Sequence, residues 1–285
     1  LMVIFKAYPG AALDDKEGQT LLHYAIDKKA QSDVVRGILA MCPELGTKTG
    51  CNETTPVQYS VEKSAPLEVF RATLDALPEP NKVMDARGRN LLHSGIANKM
   101  SFDMMEEILN LCPDSAKEKD HDGVLPLRCA MENDLSMKFL MVIFKAYPGA
   151  ALDDKEGQTL LHYAIDKKAQ SDVVRGILAM CPELGTKTGC NETTPVQYSV
   201  EKSAPLEVFR ATLDALPEPN KVMDARGRNL LHSGIANKMS FDMMEEILNL
   251  CPDSAKEKDH DGVLPLRCAM ENDLSMKFLM VIFKA

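Results

Sequence analysis

The chain has 285 residues, of which 45% are hydrophobic and 26% charged, proportions that are normal for a globular protein. Its net charge of −9 excludes nonspecific nucleic-acid binding, which needs a basic surface, and its longest notable apolar run, residues 139–144, is far too short to span a bilayer. The eight cysteines form no CxxC pair and no zinc-spaced Cys/His cluster. We therefore expect reduced thiols, a cytoplasmic location, no metal and no cofactor.

The segment LMVIFKA occurs at residues 1–7, 140–146 and 279–285. A shift of 139 positions places the whole sequence on itself without a mismatch, so that Cys42 meets Cys181. This period predicts one unit at residues 1–139, an identical unit at 140–278 and the start of a third at 279–285. We interpret the chain as a segment of a longer tandem array, with Leu1, Ile4 and Phe5 exposed at a cut end.

A shorter repeat lies inside each unit. Pro43, Pro78, Pro113 and Pro148 are 35 residues apart, and the segments ahead of them align as GQTLLHYAIDKKA, ETTPVQYSVEKSA, GRNLLHSGIANKM and GVLPLRCAMENDL. Each unit thus contains three repeats of 35 residues and one of 34, which gives eight in the chain.

Each repeat predicts two short helices. The first begins at an N-cap side chain in three repeats, but Leu125 breaks this pattern in the fourth. The predicted N-caps are Thr20, Thr55 and Asn90, and the prolines at the first helical position are Pro56 and Pro126. A column of small residues lets neighbouring helices approach closely, and it comprises Ala25, Ser60, Gly95 and Ala130.

The second helix carries apolar residues with a period of three to four and is expected to stop at the repeat's proline. Its first example places Val35, Ile38 and Leu39 on one face. A polar stretch then leads to a tight turn, such as residues 85–88 or 120–123, where Asp and Gly are typical.

The pattern D-x-x-G-x-T-L-L-H-x-A at residues 15–25 resembles the ankyrin repeat. Thr20, Leu22, His23 and Ala25 match the motif T-P-L-H-x-A, while Leu21 replaces the proline. The chain departs from the family after the second helix, where the usual Gly-Ala is replaced by a Cys, Tyr or Leu followed by Pro. The resemblance implies an all-α, ankyrin-like solenoid of eight helix-turn-helix repeats.

Nothing in the sequence predicts an enzyme: it has no glycine-rich phosphate loop, no HExxH and no recurring Ser/His/Asp order. His23 and His93 occupy the motif position, where we expect the ring to tie turn to helix, and His121 is expected to be solvated in a turn.

The remaining candidates are surface residues, which contact other proteins or copies of the chain itself. In an ankyrin-like solenoid the turns and first helices line the concave face, and we expect partner binding there by Tyr24, Asp27, Tyr59, Arg87, Arg89, Tyr163, Asp166, Tyr198, Arg226 and Arg228. The same face includes Lys16, Glu17, Cys51, Asn52, Glu62, His121 and Asp122. An apolar patch once per unit predicts self-association through Met137, Met141, Met276 and Met280, because Met141 replaces the Arg36, Arg71 and Glu106 of its column.

Two functions remain open. Exact identity between the units favours a non-enzymatic structural protein, a filament or periodic scaffold in which equivalent contacts recur at fixed intervals. The alternative is an adaptor that binds a protein on its concave face, with avidity as the benefit of a second copy. Fusion of two natural units in the laboratory is a third possibility.

Overall fold

The computed structural model describes residues 19–50, 53–152, 158–189 and 192–285. It divides into two compact units, Leu1–Ala150 and Ala151–Ala285. Several residues singled out above lie outside the described residues: Leu1, Ile4, Phe5, Lys16, Glu17, Cys51 and Asn52. The boundaries of the 139-residue sequence units remain a prediction.

The described residues contain 16 α-helices and no β-strand, which confirms the predicted all-α class. The first unit contains α1 (Leu21–Asp27), α2 (Ser32–Met41), α3 (Pro56–Glu62), α4 (Leu67–Asp75), α5 (Leu91–Ala97), α6 (Phe102–Leu111), α7 (Pro126–Glu132) and α8 (Met137–Ala146). The second contains α9 (Leu160–Asp166), α10 (Ser171–Met180), α11 (Pro195–Glu201), α12 (Leu206–Asp214), α13 (Leu230–Ala236), α14 (Phe241–Leu250), α15 (Pro265–Glu271) and α16 (Met276–Lys284).

The first helices begin where their caps predict. The side chain of Thr20 accepts a hydrogen bond from the backbone of His23, and Thr55 forms a reciprocal capping box with Gln58. Leu125 has no such bond, so α7 relies on Pro126, which lacks the N–H that a cap would satisfy. The sequence thus places these starts correctly.

A left-handed residue closes each first helix. Lys29 has φ of 53°, and the next N–H, that of Ala30, donates to the carbonyl of Ala25 at 2.9 Å. This geometry satisfies carbonyls at the helix end and reverses the chain into the second helix. The corresponding residues in the first unit are Ser64, Lys99 and Asp134. None is glycine, so each takes up a conformation that costs an L-residue about 1–2 kcal/mol.

The second helices end just ahead of their prolines, but a polar loop does not come directly after them. Pro43–Gly46 forms a 3₁₀ turn, as do Pro113–Ala116 and Pro148–Leu152. Cys42, at the junction, is buried, in agreement with an apolar slot filled by cysteine.

Within each unit, like helices stack on like. In the first unit α1, α3, α5 and α7 form one row and α2, α4, α6 and α8 form another; the second unit repeats both rows. The small column lies between helices of the first row, where Ser60 and Ala130 are fully buried. At Gly95 a Cβ would lie 2.2 Å from the sulfur of Met100, so this position admits only glycine unless Met100 moves. The small residues of this column are buried, and the crowding at Gly95 comes from Met100 of the same repeat.

Candidate interaction surface

The motif histidines connect consecutive repeats. In His23, Nδ1 lies 2.7 Å from the hydroxyl of Thr20, while Nε2 lies 3.0 Å from the carbonyl of Thr54 in the next repeat. The hydroxyl donates to Nδ1 and Nε2–H donates to the carbonyl, so the neutral ring is fully satisfied. Burial lowers the pKa of His23 below its usual value, although the carbonyl acts in the opposite direction. The predicted structural role of this histidine is confirmed.

His93 has the same position with a different cap. Its Nδ1 lies 2.9 Å from the side-chain oxygen of Asn90, and its Nε2 lies 2.9 Å from the carbonyl of Val124. Burial is the largest influence and lowers the pKa of His93, whereas the Val124 carbonyl and the charge of Asp120 act in the opposite direction. Like His23, this ring is a connector between repeats rather than a free ligand.

Burial makes two of the cysteines in the described residues, Cys112 and Cys129, poor nucleophiles. Burial raises the pKa of the Cys112 thiol, and it raises the pKa of Cys129 to about 11. Both thiols therefore stay protonated at neutral pH. In the described ranges there is also no group of three His, Cys, Asp or Glu placed to hold a metal ion.

Two of the partner-binding candidates form a polar cluster with a third residue. The hydroxyl of Tyr59 donates to Asp27 at 3.4 Å, and the ammonium of Lys63 lies 3.5 Å from the same carboxylate. Lys63 also lies over the Tyr59 ring, 5.1 Å from its centroid, and the edge of that ring packs on His23. The Tyr59 ring is only 6% exposed, so this side chain joins repeats and presents little surface to a partner.

The second unit repeats this cluster. The Tyr198 hydroxyl lies 3.2 Å from Asp166, and Lys202 lies 2.7 Å from the same carboxylate. The Lys202 ammonium lowers the pKa of Asp166 below its usual range. Neither aspartate is a free charge on the surface.

The candidate arginines of the turns divide into two kinds. Arg89 pairs with Asp85 at 2.7 Å, and the same carboxylate accepts the backbone N–H groups of Arg87 and Arg89. Arg89 thus stabilises its own turn, where Gly88 has φ of 70°. The side chain of Arg87 is exposed, and its carbonyl accepts the N–H of His121 from the next turn. In the second unit Arg228 pairs with Asp224 and Arg226 is exposed.

The remaining surface candidates differ in their exposure. Glu62, His121 and Asp122 are exposed, and Tyr24 is 54% exposed beneath the ammonium of Lys28, whereas its copy Tyr163 is buried. Met137 and Met141 are half-buried, whereas their copies Met276 and Met280 are exposed.

Sequence reasoning missed an ion-pair row along the second helices. Arg71 on α4 bonds to Glu107 on α6 through two guanidinium nitrogens, and Arg36 on α2 lies 3.8 Å from Asp75 on α4. The two residues of each pair are about 36–39 positions apart in the sequence, so no local motif indicates the pair. The only signal is the period of the helix faces on which they lie. Exposed pairs of this kind contribute about 0–1 kcal/mol each, so they fix register more than stability.

Comparisons with known proteins found similarity among solved structures only. No protein-family model and no curated protein matches the chain. Among solved structures, the chain is similar to the ankyrin repeat domain of Bcl-3, a member of the IkappaB protein family; the two share 14% identity with a TM-score of 0.49, over 95% of this chain and 100% of that one. Independently of that likeness, the described residues form the pairs of short helices that the motifs predicted. None of the helices in the described part of the chain is long and apolar enough to cross a membrane.

Proposed function

We propose that the chain is a non-enzymatic structural repeat protein, a segment of a longer tandem array that forms a filament or periodic scaffold in the cytoplasm. One observation carries the proposal: two units of identical sequence repeat the histidine bonds that join consecutive repeats. The bond from His93 to Val124 measures 2.9 Å and that from His232 to Val263 3.0 Å.

Equivalence of this kind serves a scaffold. Each unit carries the same sequence, so along a long array a partner or a neighbouring array would meet equivalent residues at a regular interval. Because the four repeats within a unit differ from one another, equivalent residues recur only once every 139 residues. A protein that binds one partner at one site has no need of an identical second unit.

The non-enzymatic role is supported by how the reactive side chains are used. His23 and His93 join repeats, the thiols of Cys112 and Cys129 are protonated, and Asp27 is paired. These groups are the ones that nucleophilic or acid–base chemistry would need.

The test is periodic labelling in the source cell. An antibody against residues 140–278 should detect a protein far above 31.4 kDa, and gold label should recur at a constant spacing along an extended structure. A single band near 31 kDa together with diffuse label would contradict the scaffold.

An adaptor remains the second candidate, because exposed Tyr24, Arg87 and Arg226 are residue types that often dominate binding energy. The adaptor function predicts that one copy of the partner binds to each unit. Changing both Arg87 and Arg226 to Glu should abolish the gain in affinity that two binding units provide. The matched control changes Lys82 and Lys221, which are exposed at the 3₁₀ turns, to Glu. Equal loss in both pairs of variants would contradict a specific concave site.

A further inference from the structure

The exposed charges of two neighbouring second helices are opposite in sign. On α6 the exposed charged residues are Asp103 and Glu106, which we call the acidic stripe. On α8 they are Lys138 and Lys145, which we call the basic stripe. Their copies in the second unit are also exposed: Asp242, Glu245, Lys277 and Lys284. Each unit therefore carries one acidic and one basic stripe at its surface.

Neither stripe forms an ion pair within the part of the chain that the structure describes. The preceding second helix, α4, behaves differently: its Arg71 pairs with Glu68 on the same helix and with Glu107 on α6. The two stripes thus keep their charges at the surface, although they lie on adjacent helices. Such charges attract a complementary surface once it comes within about 8 Å at physiological ionic strength.

The side chain of Lys138 is held against α6 without losing its charge. Its ammonium lies 3.7 Å from the centroid of the Phe102 ring, and the copy Lys277 lies 3.5 Å from that of Phe241. The Phe102 ring packs edge-on against Phe139, with 5.3 Å between centroids. An aromatic ring attracts a cation but does not neutralise it, so the ammonium stays available to a carboxylate. Because the side chain is already positioned, less entropy is lost when a partner binds.

The repeat period sets the levels of the two stripes along their helices. Asp103 and Lys138 are 35 residues apart and each is the second residue of its helix, so they occupy equivalent positions. Since α6 and α8 contact each other in the same row, equivalent positions lie side by side. Lys145 follows Lys138 at about 10.5 Å along the helix axis, and Glu106 lies between the levels of the two lysines.

We propose that the face formed by α6 and α8 binds the same face of a second copy of the chain, with α6 of each copy on α8 of the other. A two-fold axis that is parallel to the helices and passes between them brings each acidic stripe opposite a basic stripe, twice in one interface. An axis perpendicular to the helices instead places α6 on α6 and opposes like charges. Charge complementarity therefore selects both the occupant and its orientation.

The interface gives the proposed scaffold a lateral partner, a second array, and it rests on that function. A contact between two single faces is weak, because exposed ion pairs contribute little. A long array presents the face once per unit, so that contacts after the first are intramolecular. The two proposals fail separately: a covalent array shows periodic labelling whether or not arrays pair, and a chain of 285 residues can pair without being part of an array.

The experiment is sedimentation equilibrium of the full chain over a hundredfold range of concentration. At about 20 mM salt the mean mass should rise above 31.4 kDa as the concentration increases. At about 500 mM salt the association should weaken by about tenfold or more, because screening shortens the reach of exposed charges. A chain that stays monomeric at low salt at every concentration would overturn the proposal, and so would association that does not depend on salt.

Charge exchange tests the orientation. Changing Lys138 and Lys145 to Glu in both units makes all the stripes acidic and should weaken association at low salt by about tenfold or more. Adding Asp103→Lys and Glu106→Lys in both units exchanges the stripes and restores the net charge, and this exchanged chain should associate as the original does. Failure of the exchanged chain to associate would overturn the proposal.

The matched control changes Lys82 and Arg87 to Glu in both units, which alters the net charge by the same amount at exposed positions outside α6 and α8. This control should leave association unchanged, and an equal weakening would show that only the net charge matters. Circular dichroism at low concentration compares the helix content of every variant with that of the original chain.

Discussion

The stability of the chain should decrease as the pH falls below about 6.5, because burial favours the neutral form of two connecting histidines, His23 and His162. His23 and His162 both have a pKa below the usual value, and burial is the largest cause for each. The unfolded chain binds a proton at these residues near pH 6.5, whereas the folded chain does so only at lower pH. Their contribution is therefore fully present above about pH 6.5 and is lost as the pH falls toward the folded pKa.

The magnitude of this effect is set by linkage. In that window each histidine makes the free energy of unfolding fall by up to about 1.4 kcal/mol per pH unit. The change His162→Leu removes one titrating group. It also removes the bond from Nε2 to the carbonyl of Thr193, which measures 3.0 Å, and leaves the buried hydroxyl of Thr159 without its acceptor. The Thr193 carbonyl keeps the N–H of Gly189 at 2.8 Å, so we expect a total loss of about 2–4 kcal/mol at pH 7.5.

Urea unfolding followed by circular dichroism between pH 5.5 and 7.5 checks both effects. The variant should be less stable at pH 7.5, and its stability should depend less on pH than that of the original chain. The control is Ile177→Val, which removes a buried methylene group without a titrating group and should cost about 0.5–1.5 kcal/mol at every pH. If the pH profiles of His162→Leu and the original chain are parallel, the histidine is not a neutral buried connector.

Three further changes test local features. Gly46→Ala should cost about 1–3 kcal/mol in urea unfolding, because its Cβ would lie 2.8 Å from that of Ala76; no loss would show that the turn can shift. Lys99→Gly should raise the free energy of unfolding by about 1 kcal/mol, since φ of 54° is unfavourable for lysine, and an unchanged or lower value would contradict this. Changing Met141 and Met280 to Arg should leave the circular dichroism spectrum unchanged and abolish lateral bundling seen by light scattering; persistence of the same assemblies would exclude the lateral patch.

Most of the fold could be predicted because its signals are local. The N-caps at Thr20 and Asn90, the proline at the first position of α3 and the turn that ends at Gly88 each act within a few residues. The 3₁₀ turns after the second helices were missed, because a proline predicts where a helix ends but does not specify the conformation of the residues after it.

The surface was harder to predict because it depends on packing between repeats. The ankyrin-like arrangement led us to expect Tyr59 on the concave face, but the residue packs against Lys63, Asp27 and His23, and the last two belong to the preceding repeat.

The most direct test of the central claim is the length of covalent arrays. Chains of two, three and four identical 139-residue units should be measured by small-angle X-ray scattering at several concentrations and extrapolated to zero concentration. A periodic scaffold predicts that the maximum dimension increases by the same amount with each added unit, because each repeat contacts only its neighbours. An increment that shrinks with each added unit would show that the units fold back on one another, and it would contradict the account.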